Sequence, residues 1–255
     1  MNSTNIFRII YPVIGIALIV AVWHFYIVEF DIPAVVMPLP GPVLDAIVDN
    51  WSDLLSEGWV TFLECVYGFA LAVVIGIPIA VMVTASSTLN QMFYPLLIAI
   101  QSVPKVAIAP IALVWFGYGM ESKLAIVFMV AFFPMVVDTA TGLRSTPQDL
   151  IDLARALKCT QFQIFWKIEL PWAMPFVFSG AKVAVTLAVI GAVVGEFVGA
   201  EAGLGRLLLV ANSQINPPLV WASLVFLSVL GMLLFGAVIL AERIFMPWAF
   251  EAGHG

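Results

Sequence analysis

Six apolar segments, each long enough to cross the hydrocarbon core of a bilayer, recur along this sequence. They cover approximately residues 9–28, 62–83, 92–116, 123–143, 174–198 and 219–241. A membrane-spanning helix needs about 20 predominantly apolar residues. With 10% charged residues and a mean hydropathy of +1.09, the chain could not cover its surface with polar groups in water. The sequence therefore predicts an all-α, polytopic membrane protein with six transmembrane helices.

The distribution of basic residues predicts the orientation of these spans. An even number of spans places both termini on one side of the membrane, and Lys and Arg are enriched on the cytoplasmic side. Segments on the terminal side carry Arg8, Arg144, Arg155, Lys158, Lys167 and Arg243, whereas segments on the other side carry Lys123 and Arg206. We therefore expect cytoplasmic termini and a cytoplasmic loop at about 144–173, between the fourth and fifth spans.

The outer loop before the second span contains an amphipathic segment at about 41–57. It follows the turn-forming MPLPGP, and apolar residues recur in it at helical spacing. These are Leu44, Ile47, Val48, Trp51, Leu54 and Leu55. Its charged residues are acidic, whereas membrane-surface helices usually carry Lys and Arg. We expect the segment to pack against the outer rim of the protein itself.

Small residues recur in four-residue steps along the second span, at Gly68, Ala72, Gly76 and Ala80. This spacing lets helices approach closely, which is a main source of helix association in lipid. Two interpretations are open. Packing within the bundle is the one we favour, and a subunit interface is the alternative.

Prolines interrupt the third span at positions 95, 104 and 110. Proline removes a backbone donor and bends a helix, and broken helices at membrane depth are tolerated where they line a cavity or are buried in protein. Gln101, Ser102 and Lys105 lie among these prolines and are candidates for the wall of a translocation pathway. Lys105 either binds carbonyl groups freed by Pro104 or faces the pathway and helps an anion cross.

Other ionisable residues fall within or at the edges of the spans, where they are costly and suggest function. Glu64 and Glu196 lie near the outer ends, where water or a partner would be available. Asp138 and Lys182 lie near the inner ends, where they could pair or reach the interface. We expect Glu196 to shape the outer gate of the pathway, with a structural role at the helix end as the alternative. The glycines of GLG at 203–205 predict a turn into a short helix.

The cytoplasmic loop is predicted to form two short helices. Thr146 can cap the first, with Pro147 at its first position, and the helix ends near Lys158. Leu150, Leu153, Ala154 and Leu157 would form one apolar face. Thr160 can cap the second helix, which is expected to end at Leu170-Pro171. Two such helices, apolar on one side, would suit a groove on a soluble partner.

The spacing of this loop resembles the EAA loop of the membrane subunits of bacterial ABC importers. That pattern is Glu-Ala-Ala, three residues, Gly, nine residues, then Ile-x-Leu-Pro. The matching positions are Asp152, Leu153, Ala154, Lys158, Ile168, Leu170 and Pro171. Asp152 keeps the charge of the family glutamate on a shorter stem. Lys158 replaces the glycine and would put a side chain at a left-handed helix cap, at a cost on the order of 1 kcal/mol.

Further blocks extend the resemblance over most of the chain. PLPGPVLDAI, SVPKVAIAPIALVWFGYG, ELPWAMPFVFSGAKVA and GEFVGAEAGLG follow in order. They are similar to the branch that imports nitrate, sulfonates, taurine, pyrimidine precursors and aromatic acids. The resemblance implies one transmembrane permease domain over residues 1–255 in the bacterial inner membrane. It also implies that the coupling loop acts through Asp152, Leu153, Ala154, Leu157, Lys158, Ile168, Leu170 and Pro171.

The resemblance also implies the partners of the chain. These would be a second permease copy in a homodimer, two cytoplasmic ATPase subunits, a periplasmic substrate-binding protein and the lipid bilayer, without nucleic acid. The sequence contains no GxxxxGK[ST] phosphate loop. ATP and Mg²⁺ would therefore bind the ATPase, and we expect neither a cofactor, a metal nor an enzyme active site on this chain. The branch and Lys105 favour a small solute, with an anion as one option.

The alternative is a stand-alone secondary transporter or channel. Secondary transporters usually show inverted repeats or paired broken helices in two halves, whereas one span here is strongly interrupted. A membrane-embedded enzyme would need a cluster of residues at catalytic spacing. His24 and His254 lie at opposite ends of the sequence and form no such cluster.

Overall fold

The computed structural model describes residues 3–101 and 103–247, and within these ranges it contains helices, turns and loops but no strand. The α-helices are α1 (Ser3–Glu29), α2 (Pro40–Asp49), α3 (Trp51–Thr84), α4 (Ser87–Gln101), α5 (Ala109–Phe116), α6 (Met120–Arg144), α7 (Gln148–Ala156), α8 (Gln161–Ile164), α9 (Leu170–Gly199), α10 (Leu204–Ser213) and α11 (Pro217–Phe245). A 3-10 helix, Lys105–Ile108, precedes α5, and a π-helical turn, Phe165–Glu169, joins α8 to α9. The all-α prediction is confirmed.

Five helical segments of the described chain are long and apolar enough to cross a membrane: α1, α3, α6, α8 with α9, and α11. The predicted third span is instead a bent pair, Thr88–Gln101 and Val106–Phe116, whose axes meet at 80°. Pro104 lies at the bend in an extended conformation, with φ −67° and ψ 94°, and it has no N–H to continue the helix. The predicted interruption is therefore present, and the count is five spans, or six if the bent pair crosses together.

The outer amphipathic segment divides at Asn50. That residue leaves the helical conformation at φ −110° and ψ 24°, so α2 ends at Asp49 and Trp51 already begins α3. The second span is therefore longer at its outer end than the hydropathy pattern indicated. On α2, Val43 is buried, whereas Leu44 and Val48 are exposed.

The core is built on α6, which packs against both α3 and α9. Gly68 of α3 meets Val127 of α6, and an added Cβ there would lie 2.3 Å from a Val127 methyl carbon. Gly191 of α9 approaches the backbone of the same residue, with a corresponding distance of 3.0 Å to its Cα. The four-residue stripe on α3 is buried inside this chain, which confirms packing within the bundle.

Candidate functional site

The loop between α6 and α9 folds into a knob of two helices, which we define as residues 148–168. Its first helix, α7, begins at Gln148, with Pro147 as the N-cap residue and no side-chain cap. The predicted cap by Thr146 is wrong, because the Thr146 hydroxyl donates to the Leu143 carbonyl over 3.1 Å and so completes the last turn of α6.

Lys158 lies just after the end of α7 and adopts the left-handed conformation, with φ 58°. The Lys158 N–H donates to the Arg155 carbonyl over 2.9 Å, and the Cys159 N–H donates to the Ala154 carbonyl over 3.0 Å. This pair of hydrogen bonds is the Schellman motif, in which the left-handed position is normally a glycine. The turn expected at the glycine position of the motif is therefore present, although the residue at that position is Lys158.

The second helix of the knob begins as predicted and continues beyond its predicted end. Thr160 and Gln163 form a capping box, with the Thr160 N–H donating to Gln163 Oε1 over 2.9 Å and the Gln163 N–H donating to Thr160 Oγ1 over 3.3 Å. The expectation that Leu170-Pro171 stops this helix is wrong. A π-helical turn leads directly into α9, and Pro171 falls in the first turn of α9, where proline is well tolerated.

The apolar residues of the knob lie on two surfaces, one buried and one exposed, and not on the single face predicted. Ile151, Ala154 and Ile164 are buried against one another and form a small core. Leu153 and Leu157 of α7 are 59% and 71% exposed. Ala154 therefore belongs to the contact that holds the two helices together. The outward apolar surface consists of Leu153, Leu157, Phe162 and Trp166.

The remaining coupling-loop residues lie around this knob. Asp152 is exposed and accepts hydrogen bonds from Arg155 Nη1 and Gln148 Nε2, both over 3.2 Å. Ile168 is half-buried beside the knob core, and Leu170 and Pro171 are half-buried at the start of α9. Six of the eight predicted positions thus lie on the knob and two at the start of α9, and their role in coupling stays a prediction.

Two of the predicted pathway residues, Gln101 and Lys105, lie at the bend of the third segment. Gln101 ends α4 and is exposed, and Lys105 opens the 3-10 helix. Ser102 and the side chain of Lys105 lie outside the described residues. The assignment of these residues to a pathway therefore stays a prediction.

A second site, at the N-terminal end of α3 and the C-terminal end of α9, which are predicted to face outward, was only partly visible in the sequence. Its side chains, which we call the outer charge cluster, are Glu57, Thr61, Glu64, Lys123, Glu196 and Arg206. Glu64 and Glu196 are 0% and 1% exposed, which corrects the expectation that water or a partner would reach them. The positions of Glu64 and Glu196 in the sequence did not indicate that they are buried, because α6 and the loop before α10 cover them.

The outer charge cluster satisfies the first backbone donors of α10. The N–H groups of Gly203, Leu204 and Gly205 donate to Glu57 Oε2, Thr61 Oγ1 and Glu196 Oε2 respectively. The initial N–H groups of a helix have no partner within the helix, so tertiary contacts replace a local cap. Carboxylates are also favoured there by the helix dipole.

The Glu196 carboxyl group leaves no room for a side chain at either glycine of this turn, Gly203 or Gly205. Gly203 has φ 122°, a region that side chains rarely adopt. An added Cβ at Gly205 would lie 2.6 Å from Glu196 Oε2. The predicted backbone role of the glycines is confirmed, and the contacts of Glu196 correspond to its structural alternative at a helix end. A gating role for Glu196 stays a prediction.

At the inner end of the bundle, Lys182 of α9 pairs with Glu242 of α11, with 2.6 Å from Nζ to Oε2. A pairing between Lys182 and Asp138 is therefore wrong, and Asp138 instead faces Gly180. Sequence reasoning missed Glu242 because it lies after the predicted end of the last span, where an acidic residue needs no special explanation.

Comparison with known proteins places this arrangement in a family. The model of the "Binding-protein-dependent transport system inner membrane component" matches residues 72–246. The "Probable ABC transporter permease protein" of Haemophilus influenzae is 32% identical over 231 residues, which cover 91% of this chain and 94% of that protein. The formylaminopyrimidine transport permease protein ThiX of Halalkalibacterium halodurans is 37% identical over 215 residues, 82% of this chain and 85% of its own.

The fold also agrees with a solved structure. An inward-facing structure of the MetNI methionine ABC transporter matches with a TM-score of 0.67 and 23% identity, covering 77% of this chain and 97% of that chain. Together with the hydropathy of the helices, these findings identify the chain as a member of the binding-protein-dependent transport system inner membrane component family, a multi-pass inner-membrane permease subunit of an ABC importer.

Proposed function

We propose that this chain, as a homodimer, forms the translocation pathway of an ATP-driven importer and couples to a cytoplasmic ATPase through the knob. A periplasmic binding protein would deliver the solute to the outer face, and both termini would be cytoplasmic. ATP and Mg²⁺ would bind the ATPase subunits, so this chain would carry no cofactor and no catalytic residue. Family membership supports this division of labour.

The observation that carries the coupling proposal is the outward apolar surface of the knob. Leu157 and Phe162 are each 71% exposed, on a loop whose charge pattern predicts a cytoplasmic location. Contiguous apolar groups rimmed by polar residues are typical of protein interaction sites. The exposed Asp152–Arg155 ion pair, 3.2 Å long, and Lys158 are neighbours of Leu153 and Leu157 along the chain.

The connection of the knob to the bundle supports transmission of movement. The π-helical turn leads from α8 into α9 without an intervening loop. Ile164 is also fixed against α7 by the knob core. A displacement of the knob by a partner would therefore move the inner end of α9 with it.

Co-purification tests the docking proposal. A tagged chain should bring down its ATPase subunit, and deletion of Asp152–Lys167 should abolish this association. Leu157→Asp should weaken it as well, because a charge would replace an exposed apolar contact. Gln161→Asp is the matched control, since it adds the same charge at an exposed polar position of the same knob. Retention of the ATPase by the deletion variant would show that docking occurs elsewhere.

The solute is proposed to be small and either anionic or heteroaromatic. The relative ThiX is described as a formylaminopyrimidine transport permease, and Lys105 provides a cation next to the bend of the third segment. If Lys105 assists an anion, Lys105→Ala abolishes uptake while assembly and basal ATP hydrolysis persist. Uptake equal to that of the unchanged protein would remove Lys105 from the pathway without affecting the docking proposal.

A further inference from the structure

The ion pairs of the outer charge cluster leave one acid without a cation. Glu57 pairs with Arg206, with 3.3 Å between Oε1 and Nη1, and Glu64 pairs with Lys123, with 2.7 Å between Oε1 and Nζ. Within the described part of the chain, Glu196 takes part in no ion pair. With every group ionised, the cluster would hold a net charge of −1, and Glu196 itself is 1% exposed. Isolated carboxylates are strongly disfavoured in such surroundings.

One oxygen atom in the cluster also lacks a donor. Among the described residues, no hydrogen-bond donor reaches Glu64 Oε2, although Lys123 donates to the other oxygen of the same carboxyl group. The Glu196 oxygens accept from the Thr61 hydroxyl and from the Gly205 N–H. The acceptors around Glu64 and Glu196 therefore exceed the donors by one.

The carboxyl groups of Glu64 and Glu196 are close enough to interact with each other. Two carboxylates in contact repel each other, whereas a carboxylic acid donates a strong hydrogen bond to a carboxylate. A single proton between them supplies the missing donor to Glu64 Oε2, removes the repulsion and brings the net charge of the cluster to zero. The other ionisable groups around the pair are Lys123, Glu57, Arg206 and the buried thiol of Cys65.

We propose that Glu64 and Glu196 form a proton-binding site, in which one proton shared between the two carboxyl groups keeps the turn at residues 203–205 docked on α3. The proton is taken from water when the turn closes over the pair. No other bond changes, and the cluster gains one positive charge. When the turn leaves, water reaches Glu196 and the proton is released, so proton binding and docking of α10 are linked.

Infrared difference spectroscopy tests this site on the full chain, assembled with its ATPase subunit in lipid nanodiscs. At neutral pH, the protein should show the carbonyl band of a protonated carboxylic acid, and that band should shift on hydrogen–deuterium exchange. Labelling glutamate carboxyl groups with ¹³C should also shift it, which distinguishes the pair from Asp138. This measurement on the unchanged protein needs neither solute nor ATP, so its outcome is independent of transport.

Glutamine variants locate the proton. Glu64→Gln and Glu196→Gln should each abolish the band, because neither variant retains two carboxyl groups that can share a proton. Glu29→Gln, at an exposed position outside the cluster, is the control and should leave the band unchanged. The site is disproved if the unchanged protein lacks the band, if ¹³C-labelled glutamate does not shift it, or if it persists in both pair variants. In these cases Glu196 is a carboxylate that is stabilised by Thr61 and Gly205 alone.

Discussion

The Leu204 N–H of α10 donates a hydrogen bond of 2.9 Å to Thr61 Oγ1 of α3. The same hydroxyl group donates to Glu196 Oε1 of α9 over 2.6 Å. One buried side chain therefore joins three helices at the outer end of the bundle. Its loss would leave a backbone donor and a carboxyl oxygen with one partner fewer.

Thr61→Val should lower the free energy of unfolding by roughly 1–3 kcal/mol, since valine keeps the shape but leaves buried polar groups unpaired. Thermal unfolding of the detergent-solubilised protein measures this loss. Thr84→Val is the matched control, because the Thr84 hydroxyl bonds only the Ala80 and Val81 carbonyl groups of its own helix among the described contacts. Equal losses in the two variants would contradict the tertiary role of Thr61.

Lys158→Gly should raise the stability of the knob by up to about 1 kcal/mol, because glycine adopts a positive φ without the Cβ penalty. Lys167→Gly is the control and should lower stability, since Lys167 lies within a helical turn at negative φ. Hydrogen exchange of the α7 amide groups reports the local change. Equal protection in both variants would show that Lys158 is not strained.

Gly68→Ala should destabilise the bundle by about 1–3 kcal/mol, the range found for overpacked cores. The added methyl group would meet a β-branched valine on α6, which has little freedom to move. Gly231→Ala of α11 is the control, because its Cβ would lie 3.9 Å from the nearest Val189 atom. Thermal unfolding should separate the two variants, and similar midpoints would mean that α3 and α6 can shift apart.

Lys182→Met and Glu242→Gln should each destabilise the protein, because either change leaves a charge near the inner end of the bundle without its partner. Their side chains are 28% and 13% exposed, so the loss should fall below the roughly 3–5 kcal/mol measured for fully buried pairs. The double variant should be more stable than the sum of the single losses predicts. Additive losses would show that the two residues do not interact.

The sequence was most informative where local chemistry decides the structure. The cap at Thr160 and the bend at Pro104 each follow from a few neighbouring residues, whereas the left-handed residue at Lys158 was expected from the glycine position of the resembled motif, and all three are present. The hydropathy pattern likewise located the apolar spans, because lipid-exposed backbone must form its own hydrogen bonds.

Long-range contacts decided the features that sequence reasoning missed. Pro171 looked like a helix stop because a proline usually ends a preceding helix, but the knob core fixes Ile164 and α8 continues into α9. Burial of Glu64 depends on Lys123 of another helix. No spacing rule along α3 reveals such a partner, since the pairing is set by how the helices pack.

The continuous helical path from α8 through α9 gives this permease a direct mechanical link between its two faces. Ile164 in the knob and Glu196 in the outer charge cluster lie on that path, roughly 50 Å apart at 1.5 Å per residue. Pro171, Pro175 and the π-helical turn interrupt the backbone hydrogen bonds near the knob, where the helix can bend. Beyond Pro175 α9 contains no further proline, so this part would carry a tilt as one body. Communication across the membrane would then need no relay of side-chain rearrangements.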